Sequence, residues 1–238
     1  LILTDRGVTL ISVFVLTVAV AGLLASLAAP PAPPLGAAEP VDWLFPRAIW
    51  RLIANCRRHP RPFRAMLAIG WFWFLGATFL SLLPAYAREG LGVDQSVLTV
   101  LLTAFSVGVA VGALASAGLN GGRIGAEKVP IGAVGIAVMA VELWLASQAF
   151  PLSSDDALRN RADFFAEAAG WRVLVDFVLI AAFAGVYVTP LNTLLQALAP
   201  PSQRARFIAC SNVVDAGLMV GSAALVAVFI ALGLEAID

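Results

Sequence analysis

Apolar residues fall into six long runs, at about 7–29, 65–86, 96–118, 129–150, 171–198 and 207–233. A helix rises about 1.5 Å per residue, so about 20 mostly apolar residues cross the ~30 Å hydrocarbon layer of a bilayer. Each run reaches that length, which predicts six transmembrane helices and an all-α polytopic membrane protein. After the first run, Ala29-Pro30-Pro31-Ala32-Pro33-Pro34 cannot continue a helix, because proline lacks the N–H and clashes with the preceding turn. A shorter patterned segment follows from Trp43 to Cys56. Phe45, Ile49, Leu52, Ile53 and Cys56 share one helical face, and Arg47, Arg51, Asn55 and Arg58 the other. That pattern predicts an amphipathic helix on the membrane surface, its basic face towards anionic lipid. A solvated linker helix has the same pattern.

The overall composition agrees with a membrane protein: 61% hydrophobic, 13% charged, mean hydropathy +0.91. A soluble core of this size needs more surface charge. Net charge is zero, so no global field points to nucleic acid. The distribution of charge says more than its sum. Arg47, Arg51, Arg57, Arg58, Arg61, Arg64, Arg123, Lys128, Arg204 and Arg206 lie on one side of the six spans. Arg6, Arg88, Arg159, Arg161 and Arg172 lie on the other. The positive-inside rule makes the first side cytoplasmic, including the 30–64 linker, and leaves both chain ends outside. With Leu as its first residue, the chain is expected to be a piece of a longer protein. The first run ends in Ala25-Ser-Leu-Ala-Ala-Pro30, as a secretory signal does, but its apolar part is too long and its basic region is only Arg6 beside Asp5.

Catalytic chemistry finds little to work with. His59 is the only histidine, in an Arg/Pro-rich loop, so no histidine base with a supporting carboxylate assembles. No cluster has metal-ligand spacing, and no glycine-rich phosphate loop with Lys-Ser or Lys-Thr occurs. An enzyme, a metal and a cofactor are therefore not expected. Cys56 and Cys210 fall in the cytoplasmic linker and inside a span, implying no disulfide framework.

The spans carry the sharper features. Ala104, Gly108, Gly112 and Ser116 recur every four residues, a spacing that lets helix backbones approach closely. Glu142 lies about eight residues, or ~12 Å, inside its span, Asp215 is similarly deep, and Asp176 sits one turn or so below Trp171, an interfacial anchor. A centred carboxylate costs about 2.5–3.5 kcal/mol on insertion scales and normally faces a cavity or a partner. Asn192 and Gln196 share a face, as do Asn212 and Asp215, and these four have the spacing to line a path from the cytoplasmic half. Interhelical hydrogen bonding fits the same spacing, and is the better expectation for Glu142 and Asp176. Pro190 removes a backbone bond in the fifth span, as at the broken helices of transporters or at a packing kink.

The loop Gly118-Leu-Asn-Gly-Gly-Arg123-Ile-Gly125-Ala-Glu-Lys128 resembles the cytoplasmic loop motif G-x-x-x-D-R-x-G-R-R of the major facilitator superfamily. Gly118, Arg123 and Gly125 match, while Gly122 replaces the aspartate and Ala126 and Glu127 replace the basic pair. Gly70 to Tyr86, Leu91 to Thr99, Pro190 to Gln196 and Ser202 to Asn212 resemble the lysophospholipid transporter branch of that superfamily. The resemblance implies helices six to eleven of a twelve-helix transporter. Residues 1–29 would close the N-terminal half, 30–64 would be the cytoplasmic basic linker, and 65–238 the C-terminal half without its last helix. It further implies inward movement of lysophosphatidylethanolamine-like lipid across the bacterial inner membrane for re-acylation. The partners implied are the missing N-terminal half and, in some members, fused or neighbouring acyltransferase and acyl-carrier-protein ligase domains.

A one-tailed lipid needs an apolar wall and a few polar groups. The run Trp71, Phe72, Trp73, Phe74 offers such a wall, or a cation–π surface for an ethanolamine ammonium, although aromatic residues all round a helix also suit lipid contact or packing. A drug or sugar facilitator, or a non-transporting anchor for a fused acyltransferase, remain the alternatives. The topology has a direct check. Cysteines placed at Arg58 and Arg204 should react only with reagents that reach the cytoplasm, and one at Asp156 only from outside. Labelling at 156 from the cytoplasm overturns the orientation.

Overall fold

Each apolar run folds as one helix in the computed structural model, which describes residues 5–28, 30, 43–119, 121, 125–150 and 158–233. Six helices are long and apolar enough to span a membrane, with candidate spans Gly7–Leu27, Pro60–Gly90, Gln95–Gly118, Val129–Gln148, Ala168–Leu198 and Pro201–Ala231. The chain is a multi-pass α-helical membrane protein. It divides into two units, Leu1–Val41 and Asp42–Asp238. The first contributes α1 (Asp5–Leu27), apolar along its length. The proline cluster lies largely outside the described residues.

The second unit holds the remaining helices. The amphipathic α2 (Phe45–Arg57) precedes α3 (Pro60–Ala85), α4 (Gln95–Leu119) and α5 (Val129–Gln148). A short α6 (Arg161–Ala166), then α7 (Ala168–Leu198) and α8 (Arg204–Ala231), complete it. Because α3 starts at Pro60, it begins earlier than hydropathy alone predicts. Proline suits a first helical turn, whose N–H groups lack intrahelical acceptors in any case.

The most enclosed helix is α7, which packs along α4, α5 and α3, while α8 packs mainly on α3. The small-residue stripe of α4 explains the first contact. A Cβ on Gly108 would lie 2.6 Å from the Val178 carbonyl oxygen, and one on Gly112 would overlap the Ala182 carbonyl. Gly185 of α7 answers from the other side, where a Cβ would meet the Val109 carbonyl oxygen at 2.5 Å. Backbone therefore touches backbone, and Ser116 at the end of the stripe is buried. The predicted close packing is what the stripe does. Pro190 is buried within α7, which continues through it.

Two apolar clusters close the ends of the unit. One gathers Leu91, Val97, Leu101, Phe164, Val173 and Phe177; the other gathers Cys56, Met66, Ile69, Leu195, Phe207 and Cys210. At the first end a π-turn, Tyr86–Gly90, follows Pro84, and the Leu91 N–H donates to the Tyr86 carbonyl five residues back. Gly92 then takes a φ of +62°, a left-handed conformation that only glycine adopts without strain. The Arg159 N–H donates to the Gly92 carbonyl and the Asp94 N–H to the Arg159 carbonyl, both at 2.9 Å. Arg159 also pairs with Glu167 at 3.2 Å and lies 5.2 Å over the Phe150 ring. Asn160 and Asp163 form a capping box that starts α6, an element the apolar pattern did not predict.

At the other end, the predicted apolar face of α2 is only half used. Cys56 is buried, Leu52 and Ile53 are half-buried against α3 and α8, and the Asn55 amide donates to Gln203 at 3.0 Å. Trp43, Phe45 and Trp50 remain exposed. Burial pushes the Cys56 thiol up from its ordinary range, against a hydrogen bond with Cys210. Both cysteines are free and buried.

Two consequences are measurable. Gly112→Leu forces a side chain into the Ala182 carbonyl, and overpacking of this kind costs about 1–3 kcal/mol. Gly217→Leu, with nothing within 4 Å of its Cβ, should leave the thermal midpoint nearly unchanged. Equal midpoints for the two variants contradict a backbone contact. The second concerns Asp94, whose Oδ1 accepts from the Ser96 and Val97 N–H groups at 2.9 and 3.1 Å and from the Ser96 hydroxyl at 2.6 Å, capping α4. The Ser96 hydroxyl, opposed by burial and aided by the two N–H groups and Arg161, holds this carboxyl below its usual range. Its stabilisation is thus present above the ordinary carboxylate pKa and lost as pH falls through the lowered folded value. Asp94→Ala should cost about 1 kcal/mol at neutral pH. The difference from wild type should shrink in acid, and a gap that widens there rejects the cap.

Candidate functional site

Polar side chains are few along the spans, and the bundle disposes of them in three ways. The first is pairing between helices. The Thr78 and Ser222 hydroxyls meet at 2.8 Å across α3 and α8, the kind of membrane hydrogen bond worth about 0.6 kcal/mol on average. Tyr86 bonds Ser147 of α5, and the Tyr187 hydroxyl donates to the Ala68 carbonyl at 3.1 Å. Glu142 of α5 accepts from Arg172 of α7, with Nη2 at 2.6 Å and Nε at 2.8 Å from the same oxygen. A partner for Glu142 was expected; that it is Arg172, apparent in sequence only as a charge near the end of a span, was not.

The second way is burial. Asp176 is 3% exposed, and its Oδ2 has no hydrogen-bond partner. Asp215 is half-buried and turned towards α3. Its Oδ1 has no partner, Ser211 lies 3.4 Å from its Oδ2, and a Cβ on Gly70 would sit 3.3 Å from Oδ1. Gly70 thus makes room first for the Leu218 side chain, at 2.6 Å from such a Cβ, and also for this carboxylate.

The third is exposure. Asn192 and Gln196 on α7 and Asn212 on α8 are exposed at the α2 end of their helices. The Asn192 amide donates to the Val188 carbonyl at 3.0 Å, satisfying its own helix rather than a neighbour. The bundle thus divides the four candidates of the last two spans, with Asp215 turned inward against Gly70 and the three amides outward. Trp171 behaves as an interfacial residue, half exposed and donating its indole N–H to the Phe165 carbonyl at 3.1 Å.

The aromatic run on α3 also divides. Trp71 and Phe72 face a cavity of about 1200 Å³ between α3 and α5, floored by Ile180, Ala184 and Tyr187 of α7. Phe72 stacks on Tyr187 at 6.0 Å, while Trp73 meets only the Phe72 edge at 5.6 Å and is otherwise exposed. The cavity walls are apolar apart from one end, where Tyr86, Glu89, Ser147 and Gln148 gather.

In the cytoplasmic loop motif, Gly118 lies in the last turn of α4, and its carbonyl accepts from the Gly121 N–H at 3.1 Å. Gly125 is half-buried, and Arg123 lies outside the described residues. Among the described residues no three His, Cys, Asp or Glu side chains come together as a metal site. Compared with known proteins, the chain matches no family model, no curated protein and no solved structure.

Proposed function

We propose that the chain is the C-terminal part of a major-facilitator-type transporter, preceded by its linker and one earlier helix. On this reading it moves lysophosphatidylethanolamine-like lipid inward across a bacterial inner membrane. The observation that carries the transport reading is the exposure of Asn192, Gln196 and Asn212 on helices of spanning length. Amides facing hydrocarbon are costly, so Asn192 and Asn212, several residues inside their spans, belong on a water-filled path or against another part of the protein. A second half of the transporter, packed on this face, supplies that path.

The helix arrangement supports the same reading. The α4–α7 and α3–α8 pairs are extensive contacts, with α3 and α7 touching between them. Two helix pairs joined in this way suit an internally repeated transporter fold. α7 also holds α5, and the 1200 Å³ cavity opens between α5 and α3. That cavity suits a further spanning helix against Trp71 and Phe72, rather than the substrate.

The substrate class rests on how sparse the polar set is. A sugar needs many hydrogen-bonding groups, since hydroxyls buried without partners are costly. An amphiphile with one small head group needs few, and an apolar wall for its chain. Proteoliposomes carrying the complete protein should internalise labelled lysophosphatidylethanolamine, with unlabelled lysolipid competing and sugars not. Asp215→Ala should lower that uptake several-fold without loss of membrane insertion. Uptake equal to empty vesicles, with a sugar or drug carried instead, rejects the lipid assignment.

A further inference from the structure

Asp176 is the polar side chain whose surroundings fit its chemistry least. It is 97% enclosed by the bundle, and one carboxyl oxygen meets no donor. Three titratable groups lie close enough to act on it electrostatically. Arg172 stands one turn away on the same face of α7, Glu142 approaches from α5, and the Tyr86 phenol comes from the turn after α3. The neighbouring α4 carries no titratable residue at all. The donors nearest at hand have other partners. Arg172 gives both Nη2 and Nε to Glu142, and Tyr86 is bonded to Ser147.

A carboxylate so placed has a second negative group, Glu142, nearby, and the one nearby cation, Arg172, is paired with that group. An uncompensated buried charge is the arrangement proteins avoid most strongly, and adding a proton removes it. We infer that Asp176 is a proton-binding site within the bundle, occupied while Arg172 is held by Glu142. A proton fits better than a metal ion. Hard cations take six or so oxygen ligands, whereas Asp176 and Glu142 offer two carboxyl groups, one of them already committed to Arg172.

The geometry also supplies a response to losing the proton. Arg172 and Asp176 are four residues apart, within reach of an ion pair along α7. Deprotonated Asp176 therefore competes with Glu142 for the one guanidinium. Movement of Arg172 from Glu142 to Asp176 would cut the ion pair that ties α5 to α7 at this end. The site stands apart from the lysophospholipid reading, because its readout needs no substrate.

Infrared difference spectroscopy of the complete protein in lipid nanodiscs, titrated from acidic to alkaline pH, provides the test. Wild type should show the carbonyl stretch of a protonated carboxylic acid, disappearing as pH rises. Asp176→Asn, a neutral near-isostere, should diminish that signal, and the exposed-loop variant Glu127→Gln should keep it in full. Glu142→Gln frees Arg172 for Asp176, so the Asp176 part of the signal should disappear at lower pH than in wild type. No acid carbonyl in wild type, or an undiminished one in Asp176→Asn, overturns the site. If Asp176→Asn does not fold, Asp215→Asn alone decides, because loss of the whole signal there assigns it to Asp215. An unchanged titration in Glu142→Gln refutes the competition for Arg172.

Discussion

Backbone contact between α4 and α7 sets the spacing of everything else in the second unit. Inside a bilayer, helices gain no hydrophobic energy by meeting, because lipid is as apolar as their side chains. Close approach must supply the attraction through dispersion, which falls away within a fraction of an ångström of extra gap. Gly108, Gly112 and Gly185 remove the side chains that would hold the axes apart. With α7 held against α4 along this line, its other faces are presented to α5 and α3. The remaining contacts, including the Glu142–Arg172 pair, follow from that placement.

The ends of the bundle are secured by different means. At the Asp94 end, loops pair with each other. The Gly92–Arg159–Asp94 backbone bonds, the Asp94 cap and the Arg159–Glu167 pair tie the α3–α4 connection to the segment before α6. These bonds lie over the apolar cluster of Leu91, Val97, Phe164 and Phe177. At the α2 end, packing dominates: Cys56, Phe207 and Cys210 are fully buried, and His59 meets the Phe207 ring edge-on. The same chain adds polar ties to the apolar cluster at one end and relies on a thiol-and-aromatic cluster at the other. Between them, glycine contacts and a few hydroxyl pairs accompany the buried apolar side chains of α7, Ile180, Ala181, Ala184 and Val186.

What the sequence makes legible follows from which signals are local. The six spans are visible because hydropathy sums over about 20 residues, and errors at single positions cancel. The Ala104–Ser116 stripe is visible because its period matches the helix, and the structure uses it as expected. The π-turn after Pro84 and the short α6 are not, since each is decided by a few residues whose polar bonds reach other segments. Asn160 and Asp163 do hold a local signal for α6, a capping box three residues apart. Partners across helices are the least legible. Nothing in the spacing of α5 says that Glu142 will meet Arg172, or that Gly70 will make room for Asp215.

The carboxylates also show how a membrane bundle separates structural from adjustable groups. Glu142 and Asp176 lie near one another, yet only Glu142 holds the guanidinium. A single cation between two anions has two arrangements, and the helices on either side are joined in one and released in the other. Asp215, at the opposite end of the bundle, has no such competitor in view. Its nearest polar neighbour is Ser211 on its own helix, and its free oxygen faces Gly70 of α3. A packed interior is close to bistable rather than continuously deformable, so small changes of charge at such points act through whole helices. The tight α4–α7 seam makes that possible here. It keeps one helix pair fixed while the more polar contacts beside it, α5 with α7 and α3 with α8, retain groups whose bonding can change.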